Sequence, residues 1–207
     1  MDFVALVQQC APWASPQTMA SIVKRESGFK PLSIGINGGA RLVRQPSSKD
    51  EAVATARWLI ERGYNIDMGL AQINSKNLTK LNLSIYDVFD GCRNIAAAAT
   101  LLSWNFESAK SKVVGEQQAL LAAISTYNTG NMVSGFKNGY VQGVVANAGI
   151  AMPREGSQQT LTPVTARPPV RKSSKTTGAG AQDPKAVRYV KEDGTIGQAS
   201  SYALGFD

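Results

Sequence analysis

The chain of 207 residues contains no histidine. A Ser-His-Asp triad, a Cys-His nucleophile pair and a zinc site with His ligands therefore cannot be built from it. Any acid–base chemistry near neutral pH falls to Asp and Glu, of which the chain has 15. The lack of histidine narrows the candidate enzymes to those that work with carboxylates, and we expect neither a metal ion nor a cofactor.

Cysteine is almost as scarce, since only Cys10 and Cys92 are present. Two thiols without histidine and without a third sulfur make a metal site improbable. They are either two buried thiols or one disulfide. A disulfide closing so long a loop would stabilise the fold by ~4–5 kcal/mol in the chain-entropy model and would indicate an oxidising compartment.

Long hydrophobic runs are missing too. No apolar stretch approaches the ~18–20 residues that a membrane span requires. The first residues, Met1 to Gln8, lack the basic start and the apolar centre of a secretory signal. We therefore expect no membrane span, and either a mature or trimmed form or export by another route.

Acidic residues are outnumbered, which gives a net charge of +7 and a pI of about 9.5. The excess is spread along the chain, with 14 Lys and Arg against 10 Asp and Glu up to residue 151, and 8 against 5 after it. Such a charge suits an anionic polymer as partner. A nucleic-acid partner is not expected, because it would favour one dense basic face interleaved with aromatic residues.

Apolar periodicity and capping residues predict a mainly helical domain over residues 1–151. Ser15 followed by Pro16 marks a helix start, Ser48 with Glu51 forms a capping box, and Gly63 marks a helix end. The chain Asn37-Gly38-Gly39 between apolar residues 34–36 and 42–43 predicts a small β-hairpin. The predicted helices cover residues 2–9, 16–27, 52–60, 90–110, 116–127 and 140–148.

The composition changes after residue 151. Residues 153–185 are rich in Pro, Ser, Thr, Lys and Gly and hold few large apolar side chains, so burial cannot offset their ordering entropy. We expect residues 152–207 to form a flexible tail. Its last residues, 200–207, include Tyr202, Leu204 and Phe206, and are either unstructured or a short docking peptide.

Glu26 is the leading candidate for chemistry because it ends a predicted amphipathic helix. The negative end of a helix dipole disfavours a carboxylate, and partial burial acts in the same direction. Both effects keep a carboxylic acid protonated closer to neutral pH, as a general acid that cleaves a glycosidic bond must be. Alone, Glu26 would be an ordinary solvated carboxylate, and its importance depends on the surrounding motifs.

Three segments follow one another in a telling order: Glu26-Ser27, then Gly69-Leu70-Ala71-Gln72-Ile73-Asn74, then Tyr127-Asn128-Thr129-Gly130. This order resembles that of lysozyme-like lytic transglycosylases. The segments Gln9-Cys10-Ala11-Pro12, Ile36-Asn37-Gly38-Gly39 with Arg44-Gln45-Pro46, and Phe89-Asp90-Gly91-Cys92 are similar to those of the transglycosylase component of type IV secretion systems. The resemblance covers roughly residues 1–150.

The resemblance implies an α+β, predominantly helical, lysozyme-like domain with a small β-hairpin beside a substrate cleft. It also implies roles for individual residues. Glu26 would be the single acid and base, and Tyr127 would orient it through its hydroxyl. Ser27 and Gln72 would bind the substrate or hold the acid, and Asn74 and Asn128 would hold sugar or N-acetyl groups. A Cys10–Cys92 disulfide is also expected.

Asp67 separates two enzymatic interpretations. Its segment also resembles the one that carries the second carboxylate of animal-type lysozymes. Two carboxylates ~5–5.5 Å apart would permit a retaining hydrolase, whereas one carboxylate is enough for a transglycosylase. Asp67 is otherwise a turn residue that bonds its own backbone. Trp13, Trp58 and Trp104 are weaker candidates for stacking on sugars, with Trp58 the best of the three because it lies off the apolar stripe of its helix.

The function implied is cleavage of the β-1,4 bond between N-acetylmuramic acid and N-acetylglucosamine, which opens peptidoglycan for a secretion or conjugation apparatus. The expected location is the periplasm, and the expected partners are glycan strands and, through the tail, other subunits of the apparatus. The alternatives are a hydrolytic muramidase and a glycan-binding assembly scaffold without catalysis.

Overall fold

The computed structural model describes residues 2–149 and the backbone of two strands at 187–190 and 196–199. Helices dominate the described residues, and every strand is short, so the predicted α+β, predominantly helical class is confirmed. The helices are α1 Phe3–Cys10, α2 Pro16–Glu26, α3 Lys49–Glu61, α4 Leu78–Leu81, α5 Ile85–Val88, α6 Gly91–Lys110, α7 Glu116–Thr129, α8 Ser134–Lys137 and α9 Tyr140–Asn147. The strands are β1 Ile34–Ile36, β2 Arg41–Leu42, β3 Ile66–Met68, β4 Ile73–Asn74, β5 Val187–Val190 and β6 Ile196–Ala199.

Short polar side chains set the helix ends where the sequence predicted them. Ser15 accepts a hydrogen bond from the Thr18 N–H at the start of α2, and Pro16 occupies its first turn. Ser48 accepts from the Glu51 N–H at the start of α3. The Glu51 carboxylate does not close the predicted capping box on Ser48, because the Ser47 N–H, the Ser47 hydroxyl and Arg44 bind it instead.

The predicted small β-hairpin exists, but it lies elsewhere in the chain. β1 and β2 flank the Asn37-Gly38-Gly39 turn as predicted, yet they belong to different sheets. β1 pairs antiparallel with β3, and β3 continues into β4 through the true hairpin at Gly69–Gln72. The location predicted from the Asn-Gly-Gly turn is therefore wrong.

A side chain explains why β2 does not pair with β1. Gln45 accepts a hydrogen bond from the Ile34 N–H at 2.8 Å and donates to the Ile34 carbonyl at 3.0 Å. It thus makes the two bonds that a neighbouring strand would make at that residue. On the opposite edge of β1, the N–H of the next residue, Asn37, donates to the Asn65 carbonyl and extends the pairing of β1 with β3.

β2 pairs instead with β5, and β5 with β6, in a second antiparallel sheet of three strands. The sequence analysis predicted no strand in this part of the chain. The predicted linker at 153–185 and docking peptide at 200–207 lie outside the described residues, so the flexible tail stays a prediction.

The chain divides into two compact units. The described residues of the first unit belong to Met1–Phe29 and Ile95–Pro169, and they contain α1, α2, most of α6, and α7 to α9. Those of the second unit belong to Lys30–Asn94 and Val170–Asp207, and they contain the strands and α3 to α5. Fully buried side chains of the first unit include Met19, Ile22, Leu102, Leu120 and Ile124, and those of the second include Leu59, Ile66, Met68 and Ile73.

Both cysteines are bonded in a disulfide, and no free cysteine remains. Because Cys10 and Cys92 are the only two in the chain, the predicted pairing is confirmed. Of the helices in the described part of the chain, none combines the length and the apolar character needed to cross a membrane.

Candidate active site

Glu26 is the last residue of α2 and is half-buried. Ser27 follows as the cap residue, and both its backbone N–H and its hydroxyl donate to the Val23 carbonyl. Gly28 and Phe29 then have φ angles of +60° and +65°, which turn the chain sharply away from the helix axis. Glu26 therefore lies at the C-terminus of a helix that stops at a well-defined cap, as the sequence predicted.

Helix α9 runs antiparallel to α2 and brings its first residue to Glu26. The Asn147 side chain donates to the Ser21 carbonyl, and the Gln17 side chain donates to the Ala148 carbonyl. These contacts align the end of α9 with the beginning of α2. The beginning of α9, at Tyr140, consequently lies beside the end of α2.

The Tyr140 hydroxyl donates a short hydrogen bond to Glu26 Oε1. Burial raises the pKa of the Tyr140 hydroxyl, the charge and hydrogen bond of Glu26 raise it further, and the neighbouring Tyr127 adds to the same effect. Arg25 acts in the opposite direction with a smaller contribution. Tyr140 therefore stays protonated near neutral pH and can donate its hydroxyl proton to Glu26.

A glycine on α9 leaves room for the residue before Glu26. A Cβ atom at Gly143 would lie 3.2 Å from the Arg25 Nε and 3.4 Å from its guanidinium carbon. The Arg25 side chain therefore lies across the surface of α9 one turn after Tyr140. A larger residue at this position would displace the guanidinium group, whose charge acts on the Tyr140 hydroxyl.

The end of α7 contributes Tyr127 and Asn128 to the same unit. Asn128 is exposed, and its Oδ1 accepts a hydrogen bond of 3.0 Å from the Asn138 side chain. The Asn138 Oδ1 in turn accepts from the Tyr140 N–H at 3.0 Å. Asn128 is thus linked through Asn138 to the first residue of α9, whose side chain holds Glu26.

Asp67 lies on β3 in the second unit, and amide groups bind both of its carboxylate oxygens. Asn74 donates to Oδ1 at 2.6 Å and Asn37 donates to Oδ2 at 2.8 Å. Burial raises the pKa of Asp67, and these two hydrogen bonds partly oppose the rise. The Asn74 Oδ1 accepts from the Lys76 N–H, so both ends of the Asn74 amide have partners within the protein.

Gln72 lies in the β3–β4 turn with a φ of +50°. Its side-chain nitrogen donates to the carbonyls of Ser33 and Gly69, and its oxygen faces Gly35, where a Cβ would lie only 2.9 Å away. The contacts found for the Gln72 nitrogen therefore go to backbone groups of its own unit.

The buried Asn94 side chain supports this turn through hydrogen bonds to backbone groups. Its oxygen accepts from the Ala71 N–H, and its nitrogen donates to the carbonyls of Met68 and Val88. The turn also requires Gly69, because a Cβ there would lie 2.2 Å from the Asn94 nitrogen. Asn94 is 1% exposed, so it acts as an internal support and does not contact substrate.

The structure brings Glu26, Tyr127 and Asn128 together in one unit, and Asp67, Gln72 and Asn74 together in the other. The hydroxyl that donates to Glu26 Oε1 belongs to Tyr140, which the sequence analysis did not single out; the orienting role of Tyr127 stays a prediction.

Trp58 is only 2% exposed, so it belongs to the core and does not stack on sugars. Among residues 2–149 and the two C-terminal strands, no cluster of three or more Cys, Asp or Glu side chains could hold a metal ion.

Comparison with known proteins identifies the class of the chain. The Transglycosylase SLT domain matches residues 4–146, a range that includes Glu26, Gln72, Tyr127 and Tyr140. The chain belongs to the SLT transglycosylase family.

The similar relatives described next are all virB1 proteins, a more specific group than the family. The type IV secretion system protein virB1 of Brucella abortus is 43% identical over 179 residues, which are 84% of this chain and 71% of the relative. The virB1 protein of Brucella suis has the same identity and coverage. The virB1 protein of Agrobacterium fabrum is 36% identical over 168 residues, 81% of this chain and 64% of the relative. No solved structure gives a significant match.

Proposed function

We propose that the chain is a peptidoglycan lytic transglycosylase of a type IV secretion system, with Glu26 as its single acid and base. The family match and the virB1 relatives support the enzyme class and the secretion system. The observation that supports the role of Glu26 best is the hydrogen bond from Tyr140, which fixes the rotation of a half-buried carboxyl group at a helix end. The bond cleaved is the β-1,4 linkage between N-acetylmuramic acid and N-acetylglucosamine.

In the first step Glu26 acts as the acid. Its carboxyl proton passes to the glycosidic oxygen, the bond from that oxygen to the anomeric carbon breaks, and the N-acetylglucosamine fragment leaves with a new 4-hydroxyl group. The anomeric carbon gains oxocarbenium character as the bond breaks, and the negative charge of the Glu26 carboxylate so formed favours this positive charge.

In the second step the same carboxylate acts as the base. It takes the proton from the 6-hydroxyl of the muramyl residue while that oxygen bonds to the anomeric carbon. The product carries a 1,6-anhydro ring, Glu26 is protonated again, and no water is consumed. One carboxyl group held in one orientation is sufficient for both proton transfers.

A hydrolytic muramidase of the retaining type would need Asp67 as a nucleophile. The family match favours the transglycosylase, which needs only one carboxyl group, and the bonds from Asn37 and Asn74 hold the Asp67 carboxylate in one orientation. We infer that Asp67 instead fixes Asn37 and Asn74 at the edge of its sheet. Gln72, Asn74 and Ser27 make bonds to the protein itself, so we propose that each shapes the substrate-binding surface of its own unit.

In the cell, we propose that the enzyme opens the peptidoglycan layer locally so that the secretion apparatus can be assembled. The disulfide supports a periplasmic location, because such bonds persist in oxidising compartments. The basic charge of +7 suits the anionic wall polymer. We also propose that residues 152–207 contact other subunits of the apparatus.

Glu26→Gln tests the proposal. The amide keeps the shape of the side chain and can still accept a bond from Tyr140, but it supplies no acidic proton, so release of soluble fragments from purified peptidoglycan should fall at least about a thousandfold. Glu107→Gln on the exposed face of α6 is the matched control and should retain full activity. Mass spectrometry of the wild-type products should show 1,6-anhydromuramic ends. Retention of a tenth of the activity in Glu26→Gln would refute the role of Glu26, and reducing ends would indicate hydrolysis.

A further inference from the structure

The hydrogen-bond chain from Asn128 to Tyr140 has a defined direction. A backbone N–H can only donate, so the atom of Asn138 that receives the Tyr140 N–H must be its oxygen. The other end of the Asn138 amide is then its nitrogen, which donates to Asn128. The atom of Asn128 that accepts must likewise be its oxygen. The amide nitrogen of Asn128, an exposed residue, is consequently the end left for another molecule.

We propose that Asn138 is a positioning residue that presents Asn128 to the substrate as a hydrogen-bond donor, and that its target is the carbonyl oxygen of an N-acetyl group on the glycan. This inference rests on the proposed function and adds to it the polarity of one sugar contact. An acetamido carbonyl is the strong neutral acceptor that distinguishes N-acetylated sugars from sugars with free amino groups. An outward oxygen on Asn128 would repel that carbonyl.

The placement of Asn138 also connects this contact to the acid. Asn138 and Gly139 precede α9, and Gly139 has a φ of +76°, so the chain turns into the helix immediately after the asparagine. One side chain therefore fixes both the Asn128 amide and the N–H of the residue whose hydroxyl holds Glu26. Binding of the acetamido group and orientation of the acid depend on the same short segment.

Asn138→Asp is the most informative variant. The new carboxylate can still accept the Tyr140 N–H, so α9 keeps its first contact. Its second oxygen cannot donate, and Asn128 must rotate to give its nitrogen to that oxygen, which turns the Asn128 oxygen outward. The variant therefore reverses the polarity of the contact while keeping its position. Asn131→Asp makes the same charge change in the same unit and retains the bonds from the Val133 and Ser134 N–H groups, so it is the control.

The measurement is calorimetric binding of chitotetraose, an N-acetylated β-1,4 oligosaccharide, and of its fully de-N-acetylated counterpart. We expect Asn138→Asp to bind chitotetraose about tenfold more weakly than the wild type, the size of one lost hydrogen bond with a repulsive contact. Asn131→Asp should bind it within about twofold of the wild type. For the de-N-acetylated sugar, Asn138→Asp should bind as tightly as Asn131→Asp.

The inference would be overturned if Asn138→Asp lost affinity equally for both sugars or lost no affinity for chitotetraose. It would also be overturned if the wild type did not bind chitotetraose. The proposed function is judged separately by the peptidoglycan digestion with Glu26→Gln. If the wild type releases 1,6-anhydro products but Asn138→Asp loses affinity equally for both sugars, the enzymatic function stands and the role of Asn138 is refuted.

Discussion

At the scale of single residues, the site depends on partners that are distant in the sequence. Glu26 could be found from its helix-end position and its neighbouring motifs, because those features lie within a few residues of one another. Tyr140 could not be found in this way, since it lies 114 residues away and its hydroxyl meets Glu26 only through the antiparallel packing of α2 and α9. The sequence placed Tyr140 at a helix start but gave no sign of which side chain it would meet.

Removing the Tyr140 hydroxyl should impair chemistry more than binding. In Tyr140→Phe the ring still fills its buried position, but Glu26 Oε1 loses its donor and the carboxyl group can rotate. We expect kcat to fall about tenfold, corresponding to ~1.4 kcal/mol, with KM for peptidoglycan fragments changed less than about twofold. Tyr86→Phe, on an exposed ring, is the control and should have no effect. An unchanged kcat in Tyr140→Phe would contradict the positioning role.

Asp67 gives a second prediction at this scale. In Asp67→Asn, one of the two amide donors faces another NH₂ group and must move, but the acid of the reaction is untouched. The rate should fall roughly ten- to thirtyfold, or ~1–2 kcal/mol, and the products should keep their 1,6-anhydro ends. Asp50→Asn on the exposed side of α3 serves as the control. A loss beyond about a thousandfold together with reducing products would instead show that Asp67 is the nucleophile.

At the scale of helices and strands, local signals were enough for the six longer helices, but not for the four-residue helices α4, α5 and α8 or for the strand pairing. Ser15, Pro16 and Ser48 mark helix starts whatever the rest of the chain does, because caps act on the nearest turn. The Asn37-Gly38-Gly39 turn has the backbone that a hairpin needs, with φ of +91° and +87° at its glycines. Its strands nevertheless pair elsewhere, because Gln45 binds the edge of β1 and Asn65 extends the opposite side. Competition of this kind cannot be read from one short segment.

Two glycines with nearly the same positive φ should respond differently to substitution. Gly69 and Gly63 have φ of +79° and +80°, so an alanine at either position incurs a similar backbone strain of ~1–2 kcal/mol. At Gly63 a Cβ meets nothing within 4 Å, whereas at Gly69 it meets Asn94 and the Val88 carbonyl. We expect the free energy of unfolding of Gly63→Ala to fall only by this backbone strain, and that of Gly69→Ala to fall by roughly 3 kcal/mol or more. Urea unfolding of both variants measures the difference, and equal losses would show that the Asn94 contacts do not constrain the turn.

At the scale of the whole molecule, the disulfide should dominate stability. Reduction opens a loop that spans the chain from Cys10 to Cys92, with an expected cost of ~4–5 kcal/mol in the chain-entropy model. A reducing agent should lower the Tm of the wild type and leave that of a Cys10→Ser, Cys92→Ser double variant unchanged. Thiol counting in denaturant without reductant should give none for protein from an oxidising compartment. Two reactive thiols per chain would contradict the assignment.

The separation of Glu26 from Tyr140 also affects the enzyme while it is being made. A ribosome adds ~5–20 residues per second, so the acid is synthesised roughly 6–23 seconds before the tyrosine that orients it. During that interval no chain can hold the carboxyl group in its working position. A truncated product that ends before α9 has the same defect permanently. Full activity therefore depends on synthesis through α9, because a chain that ends before Tyr140 lacks the donor to Glu26 Oε1 and should cut peptidoglycan at least about tenfold more slowly.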